Sequence, residues 1–255
     1  MISSQFAAAN PETQVLDESS VHLWRLVLRD QEPSDVQEVL DPSEWRRLSR
    51  FLDPVMRARR LDCRYRLRCL LSHYLGLPPA DIRLRTGPHG RPHLQESAHA
   101  TDLNFNVSHA ADLAMIAVAR CPLLGVDIER IHAIQRQGLL RRCFSTDERK
   151  RLQGRSEADQ QRLFFRGWTA KEAVLKAEGT GVFHNAAGIE FSLGDPIRLL
   201  RLRGDPVADQ HWFFHEFVAA PLVTGMLALA AGPWQVHQFE LEPEAALASQ
   251  SPAPV

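Results

Sequence analysis

Apolar residues recur every second position in several short runs of this chain and at about the 3.6-residue helical period in two long ones, which sorts it into strands and helices. Residues 22–28 alternate as an edge strand does, and 82–85, 103–107, 113–119 and 123–129 read as further strands. Asp41-Pro42-Ser43-Glu44 opens a helix, with proline at an early position where its missing N–H costs nothing. A longer helix is predicted over 54–74, ending before Gly76 and Pro78-Pro79. Ser145-Thr146-Asp147-Glu148 is a capping-box pattern, serine three residues before glutamate. A second long helix is predicted over 157–178, stopping at Gly179, with strands about 189–193, 197–202, 212–219 and 223–230. The fold class is α/β (α+β): a first lobe at 19–124 and a second at 125–240, each a small sheet against a long helix. Residues 1–18, polar and small, are expected to be disordered, and 241–255, rich in Ala, Pro and Ser, to form a flexible tail.

Two segments stand out against this frame. In Gly125-Val126-Asp127-Ile128-Glu129-Arg130, side chains alternate between strand faces, so Asp127 and Glu129 project from one face together. In the second long helix, Glu172 falls angularly between Trp168 and Phe165, inside the apolar stripe. An ionised carboxylate there is costly without a partner. Three carboxylates, with Lys171 and Lys176 nearby, point to a hard divalent cation beside a phosphate, because Mg²⁺ takes oxygen ligands and keeps room for water and substrate phosphate. Each acid taken alone has a plainer explanation: Asp127 and Glu129 as an exposed strand face, Glu172 as an i,i+4 partner of Lys176. The lysines add weight. The chain has only Lys150, Lys171 and Lys176 among its 30 basic residues, so two on one helix point to a need for the compact ammonium.

Composition narrows the classes without choosing one. At 255 residues the chain can bury sizeable cores, and a net charge of −1 argues against general nucleic-acid binding. Cys63, Cys69, Cys121 and Cys143 show neither CxxC nor metal-ligand spacing and read as buried thiols of a reducing compartment. The start lacks a signal-peptide pattern, and the most apolar stretch, 217–231, is broken by Pro221 and Gly225 and short for a span. No membrane association and a cytoplasmic location are the expectation.

These residues also carry a resemblance. GVDIE at 125–129, WTAKEAVLK at 168–176, Asn104-Phe105-Asn106-Val107-Ser108-His109 and Gly90-Arg91-Pro92 stand in the order and spacing of the 4'-phosphopantetheinyl transferase superfamily. In length the chain resembles its two-lobed, monomeric subgroup typified by the surfactin-synthetase activator, and the similarity runs from about Asp41 to Phe191. The resemblance implies two similar lobes related by a pseudo-twofold, with the active site between them. It implies transfer of the phosphopantetheine arm of coenzyme A to a serine of an apo acyl or peptidyl carrier protein, with release of adenosine 3',5'-bisphosphate. The metal would be Mg²⁺ (or Mn²⁺), on Asp127, Glu129 and Glu172. Glu172 would be the base, directly or through a water on the metal, with Lys171 beside the reacting centre. Arg47, Arg59, Arg91, Ser108, His109 and Lys176 would bind coenzyme A. Glu44 departs from the family pattern, standing where a lysine is usual.

The segment 136–144 lies where relatives dock their carrier, so Leu139, Arg141 and Arg142 are candidate contacts; an amphipathic core helix explains them nearly as well. Two other functions fit the same residues: a metal-dependent hydrolase of coenzyme A, and a coenzyme-A-binding partner protein without activity. Fatty-acid, polyketide, nonribosomal-peptide and aminoadipate-reductase carriers are not distinguished.

Overall fold

The computed structural model describes residues 6–87, 90–133, 137–180, 186–203, 205–206 and 211–242. The strands are β1 (Ala7–Ala9), β2 (Ser20–Val27), β3 (Leu84–Thr86), β4 (Pro92–Leu94), β5 (Asn104–Ala110), β6 (Leu113–Ala119), β7 (Leu124–Arg130), β8 (Ile189–Phe191), β9 (Leu199–Leu202), β10 (Asp205–Pro206), β11 (Trp212–Ala220), β12 (Val223–Ala230) and β13 (Gln235–Leu241). The helices are α1 (Val36–Val39), α2 (Pro42–Leu48), α3 (Pro54–Leu75), α4 (Gln137–Cys143), α5 (Thr146–Leu152) and α6 (Glu157–Glu178). This is the mixed α/β class expected, with several small sheets.

Strand alternation builds the layers. One sheet has the order β1-β13-β2-β6-β5 and another β11-β12-β7. Along β6, Ala114, Ile116 and Val118 join a core with Leu67, Leu70 and Leu71 of α3. The intervening Leu113, Met115, Ala117 and Ala119 join a second core with Val126 and Ile128 of β7 and Leu227 and Leu229 of β12. Met226 and Ala228, on the opposite face of β12, pack with α6. The order of layers is therefore α3, first sheet, second sheet, α6. Small sheets β10-β9-β8 and β3-β4 flank them.

Helix ends follow local chemistry. Asp53 caps α3, accepting from the N–H groups of Val55 and Met56, and Gly76 ends it at φ 64°. The capping box at Ser145 and Glu148 forms, and α6 ends at Gly179 in the left-handed region, φ 71°. Gly125 lets α6 lie against β7: a Cβ there would stand 2.0 Å from the Ala173 carbonyl oxygen.

Two expectations need correction. Residues 7–9 lie in the stretch expected to be disordered, yet form β1, paired in parallel with β13. Strand β13, assigned to the second lobe, pairs with β2 in the first sheet, so the chain returns to its starting layer. Both follow from apolar side chains leaving water, since Phe6 and Leu241 are buried. The expected tail from 243 onward lies outside the described residues. Among the described residues no helix is long and apolar enough to cross a membrane.

Candidate active site

β5 and β7 run side by side without a backbone ladder. Side chains of β5 bridge them: Asn106 Oδ1 accepts from the Val126 N–H at 3.0 Å and Ser108 Oγ from the Ile128 N–H at 3.2 Å. At this seam lies a cleft of about 580 Å³, walled by α2 and α3 on one side and β7 and α6 on the other. Asp127, Glu129, Glu172, Lys176, Ser108, His109, Arg47 and Arg91 all line it.

Asp127 and Glu129 do project from one face, toward α6. Lys176 Nζ donates to Asp127 Oδ1 at 2.7 Å and to Ser108 Oγ at 2.8 Å, and Ser108 Oγ donates to the same carboxylate oxygen at 2.9 Å. Trp168, on the apolar stripe, donates its indole N–H to Glu129 Oε1 at 3.1 Å. Burial raises all three carboxyls above their ordinary range. At Asp127 the ammonium of Lys176 opposes that shift. Glu172, where burial comes first and the charge of Asp127 second, is pushed up to about 8. One oxygen each of Asp127 (Oδ2) and Glu172 (Oε1) is buried without a hydrogen-bond partner, a state that costs free energy until something positive arrives.

Among the described residues no three acid, histidine or cysteine side chains form a group that could hold a metal ion alone. The three carboxylates expected from the sequence to hold the metal share this cleft. Two orphaned carboxylate oxygens beside a third carboxylate nevertheless fit a hard divalent cation that keeps waters and takes substrate oxygens.

The opposite wall is basic. Arg47 Nη1 donates to Thr86 Oγ1 at 2.7 Å. Arg60 and Arg64 line the cleft beside Cys63 and Leu67, a stripe at i, i+3, i+4 and i+7 on one face of α3. His109 Nε2 lies 3.1 Å from Cys63 Sγ. Burial, then the charge of Arg60, pushes its imidazole down to about 3, so it is neutral at physiological pH.

Two expectations, Arg59 and Lys171 at the cleft, fail here. Arg59 is not on the cleft; its Nε donates to Asp30 Oδ1 at 2.6 Å. One residue along a helix is a rotation of about 100°, and Arg60 holds the place expected of Arg59. The periodic stripe through Cys63 and Leu67 was the signal that distinguishes the two. Lys171 is fully buried away from the cleft, bound to Glu148 and to the carbonyls of Ala186 and Ile189. Its place beside the reacting centre is thus overturned by packing. Arg91 lines the cleft, but its guanidinium donates to the carbonyls of Lys176, Ala177, Phe105 and Leu124, tying α6 to β5 and β7. Glu44, the departure from the family pattern, is buried against Arg68, with Arg64 Nη1 3.3 Å away, and so steadies one of the cleft arginines. On α4, Arg141 and Arg142 are exposed; the side chain of Leu139 lies outside the described residues.

Comparison with known proteins shows the family. Residues 123–228 match the model of the 4'-phosphopantetheinyl transferase superfamily, and 29–121 match the model described as 4'-phosphopantetheinyl transferase, N-terminal. The chain is 33% identical over 229 residues to the 4'-phosphopantetheinyl transferase HetI of Nostoc sp. (strain PCC 7120), covering 88% of this chain and 94% of that protein. It is 27% identical over 206 residues to the human L-aminoadipate-semialdehyde dehydrogenase-phosphopantetheinyl transferase, covering 72% and 67%. To the 4'-phosphopantetheinyl transferase gsp of Aneurinibacillus migulanus it is 32% identical over 117 residues, 46% of each chain. With both halves of the cleft inside the matched segments, the chain belongs to the 4'-phosphopantetheinyl transferase superfamily and is an enzyme of that kind.

Proposed function

We propose that this enzyme moves the 4'-phosphopantetheine arm of coenzyme A onto a serine hydroxyl of an apo acyl or peptidyl carrier protein, with Mg²⁺ (or Mn²⁺) in the cleft. The observation that carries the reading is one cleft in which a basic wall, Arg47, Arg60 and Arg64, faces a wall of carboxylates with a single ammonium. A diphosphate with a charged nucleotide end suits such a surface, and arginine grips phosphate through two N–H groups at once.

The bond that forms joins the serine oxygen to the β-phosphorus; the one that breaks joins that phosphorus to the oxygen of the departing adenosine 3',5'-bisphosphate. Such displacement needs placement and charge neutralisation more than covalent help. Asp127 and Glu172 would hold the cation, with Glu129 beside them, and a bound cation would supply neutralisation of the diphosphate charge; the unpartnered oxygens of Asp127 and Glu172 support this role. Lys176 donates to a diphosphate oxygen; its partly buried side chain, which lines the cleft, and its grip on Ser108 and Asp127 support this role. Neutral His109 hydrogen-bonds phosphate without adding charge. Glu172 accepts the serine proton, directly or through a water; a carboxyl pushed up to about 8 in the metal-free protein is a basic one, and bound cation lowers that basicity. Exposed Arg141 and Arg142 on α4 meet the acidic carrier.

The test is intact-protein mass spectrometry of apo acyl and apo peptidyl carrier proteins incubated with enzyme, coenzyme A and Mg²⁺, with EDTA as control. Gain of one phosphopantetheine arm, abolished by EDTA, is the expected result. Consumption of coenzyme A without gain on either carrier would replace transfer by hydrolysis. Reversing the charge of Arg141 and Arg142 is expected to raise KM for the carrier; an unchanged KM removes α4 from the docking surface.

A further inference from the structure

The two lysines of α6 have opposite surroundings. Lys171 has three N–H donors and three acceptors: Glu148 Oε2 at 2.7 Å, the Ala186 carbonyl at 3.1 Å and the Ile189 carbonyl. Glu148 is equally saturated. Its Oε2 also takes the Ser145 N–H at 2.8 Å, and its Oε1 takes the Phe191 N–H at 2.9 Å. Both residues are fully buried, and the Phe144 ring lies 4.9 Å from the ammonium. Four segments, the start of α5, the turn at 186–188, β8 and α6, are therefore tied to one ion pair.

Glu172, the next residue, shows the reverse: its Oε1 is buried with no partner, and among the described residues no hydrogen bond fixes its carboxylate. Its aim is set by the helix that carries it. Close approach at Gly125 sets the distance from α6 to β7, Trp168 and Lys176 tie the front of the helix to β7, and Lys171 supplies the tie on its back. A buried ion pair is a poor source of net stability and a good source of unique geometry, because its hydrogen bonds are satisfied at one orientation only. Residues 171 and 172 are about 100° apart around the axis, so fixing one side chain on the back of the helix fixes the direction of the other toward the cleft.

We infer that Lys171 is a positioning residue: gripped by Glu148, it locks the rotation of α6 and so aims Glu172, and it takes no part in proton transfer. The inference rests on the proposed role of Glu172 as base. It assigns to Glu148, which does not line the cleft, a share in the turnover rate.

Two measurements test it. Native enzyme is treated with formaldehyde and a borohydride, and modified lysines are mapped by peptide mass; a chain with three lysines makes the map complete. Lys150 and Lys176 become methylated, Lys171 stays inert, and coenzyme A with Mg²⁺ protects Lys176. Methylation of Lys171 in the folded enzyme, or its protection by coenzyme A, overturns the inference. Loss of protection at Lys176 alone, with Lys171 inert, counts against the substrate reading and leaves the pair standing. In the second measurement, Glu148→Gln lowers kcat about tenfold with KM for coenzyme A and the limbs of the pH profile unchanged, and Lys171→Met added to it makes matters no worse, as residues acting as a unit behave. Wild-type kcat in folded Glu148→Gln overturns the inference; should that variant not fold, the labelling of native enzyme decides alone.

Discussion

The front and back of α6 hold the same two chemical groups, a lysine and a carboxylate 2.7 Å apart, in opposite states of completion. At the back, every polar atom of Lys171 and Glu148 has a partner and none meets solvent. At the front, Lys176 meets Asp127 with a carboxylate oxygen to spare, and Glu172 adds another. Saturated polar groups define a structure; unsaturated ones leave valency for a ligand. On the proposed function, polar atoms of this cleft without partners are where substrate and cation would bind.

The largest break in that contrast is Glu172→Gln. It keeps shape but removes the charge a cation needs, and carrier-protein transfer is expected to fall by about a thousandfold or more, with the circular dichroism spectrum unchanged; a rate within tenfold of wild type would remove Glu172 from the chemistry. Next comes Lys176→Met, which leaves Asp127 facing the diphosphate without its counter-charge. A loss of about a hundredfold in kcat/KM for coenzyme A is expected, and retention of the full value would assign the phosphate contact to the arginines alone.

The pH dependence sharpens the comparison through stability. Glu172 has its folded-state value raised from 4.5 to about 8, so the folded chain holds that proton more tightly than the unfolded one. Its contribution is full below about pH 4.5 and is lost as pH rises through about 8. In EDTA, wild type is expected to lose Tm relative to Glu172→Gln across that window, and added Mg²⁺ to restore it. Parallel curves for the two proteins would mean that the carboxylate is already compensated. The smallest effect separates neighbours on α3: Arg64→Ala raises KM for coenzyme A about tenfold, whereas Arg59→Ala changes it less than about twofold. Equal effects would put both side chains at the ligand.

How much could be read beforehand depended on whether the deciding interaction was local. Alternation alone put Asp127 and Glu129 on one face, and the helical stripe alone made Glu172 anomalous; both depend on residues within two turns. The capping box at Ser145 and the stop at Gly179 were legible for the same reason. Arg59 and Arg60 differ only in helix phase, which a run of arginines obscures until the stripe through Cys63 and Leu67 is followed. Lys171 could not be placed, because the carboxylate that claims it lies 23 residues back on another helix. The pairing of β1 with β13 was hidden too, since it joins opposite ends of the chain and Ala7–Ala9 carries no strand pattern of its own.

That pairing has a consequence for how the molecule comes into being. Strand β13 lies between β1 and β2, and Arg66 in the middle of α3 donates to the carbonyl of Leu241 at its end. Residues 7–27 thus wait for residues 235–241 before their sheet can close. A nascent chain halted anywhere before 235 carries β2 with an open edge and β1 with nothing to join, so the first half cannot mature ahead of the second. An attempt to cut this enzyme into independently folding halves at the junction near 124 would leave the first half without the strand that completes it.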